Sequence, residues 1–112
     1  MSQLTINLET GSVSLNLPTE AVHELKATLD EMMVRLKAVV SAGAGKQRAP
    51  QKPVEYRYKE ELFLELFCNP NIWPTPFAAK VLVTLRDEHL RLSTEAERSQ
   101  VFEDVNQCLA AS

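Results

Sequence analysis

The chain has 112 residues, a mass of 12.6 kDa, 24% charged residues and a formal net charge of -3. These values fit one domain of ordinary globular composition and exclude a protein that binds nucleic acid through a uniformly basic surface. The two cysteines, Cys68 and Cys108, both lie beside apolar residues, which excludes a disulfide-stapled secreted scaffold and reads as reduced core thiols.

The chain opens with LTINLETGSVSLNLP over residues 4–18. Leu4, Ile6 and Leu8 alternate with polar residues, and the alternation resumes at Val13, Leu15 and Leu17. This predicts a β-hairpin with one apolar face, turning at Thr10-Gly11, where the glycine supplies a positive φ, and ending at Pro18. Thr19 is expected to cap a helix, with Glu20 in its first turn. Val22, Leu25, Leu29, Met32, Leu36 and Val39 then recur at the 3, 4, 3, 4, 3 spacing of a helix seam, which serves either as core or as a dimer contact. Glu31 and Arg35 form an i,i+4 pair on the polar side, and the helix is expected to stop near Gly43 and Gly45.

Residues 43–57, GAGKQRAPQKPVEYR, read as a linker or extended strap. From Lys46 to Lys59 five basic residues, Lys46, Arg48, Lys52, Arg57 and Lys59, gather against Glu55 alone. Next, YKEELFLELFC predicts a second helix from about Tyr58, with Leu64 falling off its apolar face. Pro70 ends it, and Thr75-Pro76 starts a third, carrying Phe77, Val81, Leu82, Leu85 and Leu92. Thr94 and Glu97 fit the capping box of a fourth helix, which carries Val101, Phe102, Val105, Cys108 and Leu109.

The expected fold is therefore α+β in a single domain over 1–112. A hairpin packs on a long helix (ββα, 1–42), a basic Pro/Gly strap follows (43–57), and a three-helix bundle closes the chain (58–112). The hairpin edge and the helix seam each invite a second copy, so a homodimer is expected. MSQLTINLET has no signal-peptide pattern, and no apolar run is long enough to span a bilayer, so the expected location is the cytoplasm with no membrane contact.

No catalytic or cofactor signature is present, so neither an enzyme nor a cofactor is expected. His23, Cys68, His89 and Cys108 lack the paired spacing of a zinc site, and Cys108 on an apolar stripe reads as packing rather than a nucleophile. Two regions remain. The NPNIWPTPF loop holds Ile72 and Trp73 among three prolines; the two side chains either plug the core, which is favoured, or form a binding hot spot. Glu60, Glu61 and Glu65 are expected on an acidic helix face able to meet a basic partner. The basic strap, with Tyr56 and Tyr58 interleaved, reads first as a solvated linker, then as a protein contact, then as a nucleic-acid contact.

The small size, acidic balance and absence of catalytic motifs resemble, in type rather than in motif, the compact inhibitors and adaptors of phages and mobile elements, anti-CRISPR proteins among them. The expected function is a non-enzymatic protein-binding adaptor or inhibitor of a larger, nucleic-acid-handling complex. The alternative is a nucleic-acid-binding regulator that uses Lys46, Arg48, Lys52, Arg57 and Lys59.

Overall fold

The computed structural model describes residues 2–40 and 50–111. In chain order the elements are β1 (Ser2–Leu8), β2 (Gly11–Leu17), α1 (Thr19–Val40), β3 (Val54–Lys59), β4 (Phe63–Cys68), β5 (Lys80–Arg86), β6 (Arg91–Glu97) and α2 (Arg98–Ala110). Strands β1 and β2 form one antiparallel sheet, and β3-β4-β5-β6 form a second, antiparallel meander. The expected helix stop at Gly43 and Gly45 lies outside the described residues, as do Lys46 and Arg48.

The three-helix bundle expected over 58–112 is not present. A four-stranded sheet and one helix stand in its place. In the YKEELFLELFC segment, Leu64, Leu66 and Cys68 are buried while Phe63, Glu65 and Phe67 between them are half-buried. That is the period of a strand with one face on the core. Leu64, the residue that falls off a helical stripe, is the one a strand places inside. The segment has the leucine and glutamate of a helix former, but packing against neighbouring strands overrides that weak preference.

The expected third helix lasts one turn. Thr75 Oγ1 accepts the Ala78 N–H at 3.2 Å with Pro76 at the first position of a 3-10 turn over Pro76–Ala78, so the capping chemistry operates. Ala79 is already extended, and KVLVTLR follows as β5 with Val81, Val83 and Leu85 buried. Three β-branched residues in seven favour the pleated surface. The expected capping box is also absent. Thr94 and Glu97 both belong to β6, and Glu97 precedes α2 without a side-chain capping bond. The Arg98 N–H reaches instead to the Ala79 carbonyl at 3.1 Å, tying the start of α2 to the start of β5.

The packing of the hairpin also differs from the expected ββα unit. Leu4, Ile6, Leu15 and Leu17 are buried, but the element that runs along β1 is α2, with α1 touching β1 only at a few points. The α1 seam (Val22, Leu25, Leu29, Met32, Leu36 and Val39) is fully buried within this chain, and α1 packs on α2 and β3. The seam is core, with no surface left for a second copy. Thr19, expected as a cap, places its hydroxyl 2.8 Å from that of Ser2 and so joins α1 to the start of β1. Gly11 pairs with Leu8 inside the strand register, so Glu9-Thr10 make the turn. Its φ lies outside the left-handed region.

Two buried charged residues on α2 lock the elements together. The Asp104 carboxylate accepts the Asn7 N–H and the Asn7 side-chain amide, both at 2.8 Å, and the Gln100 amide at 3.0 Å. Arg98 donates from Nε (3.1 Å) and Nη2 (2.9 Å) to the Leu29 carbonyl in the middle of α1. Its guanidinium carbon also stands 5.1 Å from the centre of the Phe102 ring. Burial pushes the Arg98 pKa down, and Asp30 and Cys68 oppose the shift. A guanidinium stays charged under such a shift, so its bonds to a carbonyl are charge-assisted.

Candidate protein-interaction surface

The meander has an inner face on the core and an outer face toward solvent, and the strand register arranges the outer side chains in three rows. The first row is Glu55–Phe67–Leu82–Glu95, the second Arg57–Glu65–Thr84–Ser93, of which Thr84 is buried, and the third Lys59–Phe63–Arg86–Arg91. Each row crosses the four strands in order. Leu82 is 42% exposed; Phe67 beside it and Phe63, two rows away, are half-buried.

The charges on this face are interleaved. Arg57 Nε stands 2.6 Å from Glu65 Oε2, and Arg57 Nη2 stands 3.4 Å from Glu55 Oε2. The hydrogen bond that Arg57 donates to Glu65, with the added charge of Glu55, pushes the Arg57 pKa up. At the other end, the Arg86 guanidinium lies 4.4 Å above the Phe63 ring and occupies one of its faces.

The expected acidic helix face is thereby dissolved. Glu60 and Glu61 lie in the β3–β4 turn, where with Asn16, Pro18, Tyr58 and Leu62 they line a groove of about 560 Å³. Glu65 lies on the sheet, engaged by Arg57. The basic candidates separate as well. Lys52 precedes β3 and is exposed, with its carbonyl accepting from Arg35 at 2.9 Å. Arg57 sits between two carboxylates, and Lys59 stands in the third row.

The loop between β4 and β5 borders the first row. Its side chains split: Ile72 is 62% exposed, Phe77 is 75% exposed, and Trp73 is half-buried. The expected plug is therefore not formed by Ile72. Four features stiffen the loop. Pro70, Pro74 and Pro76 fix three φ angles. Thr75 caps the 3-10 turn. The Asn71 side chain accepts the Gln51 N–H and donates to the Gln51 carbonyl, both at 2.8 Å. Asn69 Oδ1 accepts the Asn71 N–H at 3.0 Å.

The other chemistry-bearing residues are dispersed. Cys68 and Cys108 are buried, and burial pushes both thiols up, the opposite of activation. His23 and His89 are exposed. Among the described residues, no three His, Cys, Asp or Glu side chains group closely enough to hold a metal ion. A cleft of about 250 Å³ opens between the hairpin tip and β6, lined by Asn7, Glu9, Lys80, Glu95, Glu97 and Gln100. No helix among the described residues is long and apolar enough to cross a membrane.

Phe67, Phe77 and Leu82 are the surface residues that helical periodicity hid. For Phe67 and Leu82 the signal is the strand alternation itself, since Val81, Val83 and Leu85 inward leave Leu82 outward; Phe77 lies in the 3-10 turn. Comparison with known protein families, with characterised proteins and with solved structures found no match.

Proposed function

We propose that this chain is a non-enzymatic protein-binding module that engages a larger protein through the 69–79 loop, as an adaptor or inhibitor acting in the cytoplasm. The observation that carries this reading is the exposure of Ile72 and Phe77 on a loop held by prolines, a cap and the Asn71–Gln51 bridge. Large apolar side chains on a pre-stiffened segment lose little freedom on binding, and each contributes about 1.5–3 kcal/mol when fully buried. The net charge of -3 and the exposed Glu60 and Glu61 favour a partner with a basic surface, as in the machines that handle nucleic acid. Arg57, held by Glu55 and Glu65, is a poor phosphate ligand, which weighs against the basic-strap alternative.

The test is capture of a partner by tagged protein from its native cells, with and without nuclease, beside an Ile72→Ser/Phe77→Ser variant. A protein retained after nuclease by the unaltered chain and lost by the variant supports the reading. Partners lost on nuclease treatment, or held equally by the variant, overturn it.

A further inference from the structure

The outer face of the meander carries opposite charge at its two ends. Glu55 and Glu95 bracket the first row; Lys59, Arg86 and Arg91 occupy the third, two residues further along each strand. An apolar or aromatic residue stands on β4 in both end rows, Phe67 in the first and Phe63 in the third. We propose that this face packs against the same face of a second copy of the chain, about a two-fold axis that runs across the strands along the middle row.

The charge pattern selects that axis. Two sheets can meet face to face about a two-fold axis parallel to the strands or about one perpendicular to them. A parallel axis lays each row on its own counterpart and brings β3 over the partner's β6. Glu55 then faces the partner's Glu95, and Lys59 faces the partner's Arg91, so like charges oppose. The perpendicular axis keeps each strand over its counterpart and crosses the rows. Glu95 then faces the partner's Arg91, Glu55 faces the partner's Lys59, and Phe67 faces the partner's Phe63. Such an interface is isologous: every contact off the axis occurs twice, while on the axis Arg57 meets the partner's Arg57 and Glu65 the partner's Glu65 once each, with Arg57 and Glu65 paired to each other within each copy. Like-charge contacts cost several kcal/mol and opposite charges set the register, so the pattern favours the perpendicular axis, with four opposite-charge contacts against two like ones, over the parallel axis, with four like-charge contacts and none opposite.

Four strands about 4.8 Å apart and three rows about 6.8 Å apart make a patch about 20 Å on a side. That is about 400 Å² on each copy, the size of a weak, transient contact rather than of a stable interface, so a weak dimer is expected. The crossed arrangement also places the two 69–79 loops at opposite ends of the pair, which makes the dimer bivalent toward a larger partner. The inference goes beyond the partner reading, and either can fail without the other.

The experiment is sedimentation equilibrium over a concentration series with the full chain and two exposed-site reversals, Glu95→Arg and Arg91→Glu. The unaltered chain is expected to rise toward twice 12.6 kDa. Each reversal alone is expected to weaken association by at least about tenfold, because it creates two like-charge contacts. An equimolar mixture of the two variants is expected to regain the mass of a dimer, since 95 and 91 are again opposite in sign across the interface. The rescue also shows that both variants are folded. A mass that stays at one chain at about 0.5 mM overturns the proposal. So does a dimer indifferent to the reversals, or a mixture without rescue, either of which assigns the contact to another surface. A dimer that shows rescue while the loop variant captures partners normally leaves this proposal standing and the loop reading refuted.

Discussion

Asn7 and Asp104 are joined by two hydrogen bonds of 2.8 Å across a separation of 97 positions in the sequence. One end is the tip of the N-terminal hairpin and the other is buried on the last helix, so one carboxylate ties the two ends of the chain together. Asp104→Ala removes both bonds and the Gln100 contact, leaving the Asn7 N–H without its acceptor. The expected cost is about 2–4 kcal/mol by urea denaturation. Asn7→Ala keeps the backbone donor and is expected to cost only about 1 kcal/mol. Equal costs would mean that the backbone contact contributes nothing.

The strand register makes opposite demands on two leucines. Leu64 is fully buried, paired with Tyr58 and Leu85 in register. Leu82 faces outward between Phe67 and Glu95. Leu64→Ala is expected to cost about 2–5 kcal/mol, and Leu82→Ser less than about 0.5 kcal/mol. Helices over these segments would invert the ranking, because Leu64 then lies off the apolar stripe and Leu82 on it. Thermal or urea unfolding of the two variants decides between the two periods.

These two leucines also mark what the sequence made legible. The hairpin alternation and the seam of residues 22–39 are long patterns of one period, and each forms the element that its period implies. Residues 58–97 are shorter runs in which Leu62, Leu66 and Phe63 fit a helix while Leu64, Leu66 and Cys68 fit a strand. Only the neighbouring strands choose between them. The partner of the hairpin was equally hidden. Sequence proximity points to the helix that follows, whereas the structure uses α2, drawn in by Asp104. Asp104 stands on the Val101–Val105–Cys108 stripe, and a carboxylate on an apolar stripe was the available sign.

The surface was legible in part for the same reason. The proline loop stood out from composition alone, and Ile72 is exposed there. Helical periodicity sets the acidic group on a helix and the basic group on a strap, and so keeps them apart. Once 54–59 and 63–68 pair as strands, Arg57 lies against Glu65, and members of the acidic and basic groups share one sheet face while Glu60 and Glu61 stay in the turn.

Gly11 offers a test of the hairpin turn. A glycine required for positive φ is destabilised by alanine, but Gly11 lies in the strand outside that region, and a Cβ added there meets nothing within 4 Å. Gly11→Ala is expected to raise stability by about 0.5–1 kcal/mol, by reducing the freedom of the unfolded chain. A loss of stability would restore the glycine to the turn itself.

Tyr56 makes stability depend on pH in the alkaline range. Its hydroxyl donates to the Ala21 carbonyl at 3.0 Å, which ties β3 to the first turn of α1. Burial first, then the charges of Glu24 and Tyr58, push its pKa from 10.0 up to about 12. The folded value lies above the unfolded one, so the stabilisation is complete below about pH 10 and is lost as pH rises through about 12. Between those values the unfolded chain releases a proton that the folded chain keeps, and stability falls by up to about 1.4 kcal/mol per pH unit. Tyr56→Phe gives up the hydrogen bond, costing about 1 kcal/mol at neutral pH, and carries no proton to lose. Urea unfolding of both proteins from about pH 8 to about pH 12 is therefore expected to show the advantage of the native tyrosine shrinking and then reversing. A constant gap across that range would mean that Tyr56 ionises in the folded chain as readily as in the unfolded one.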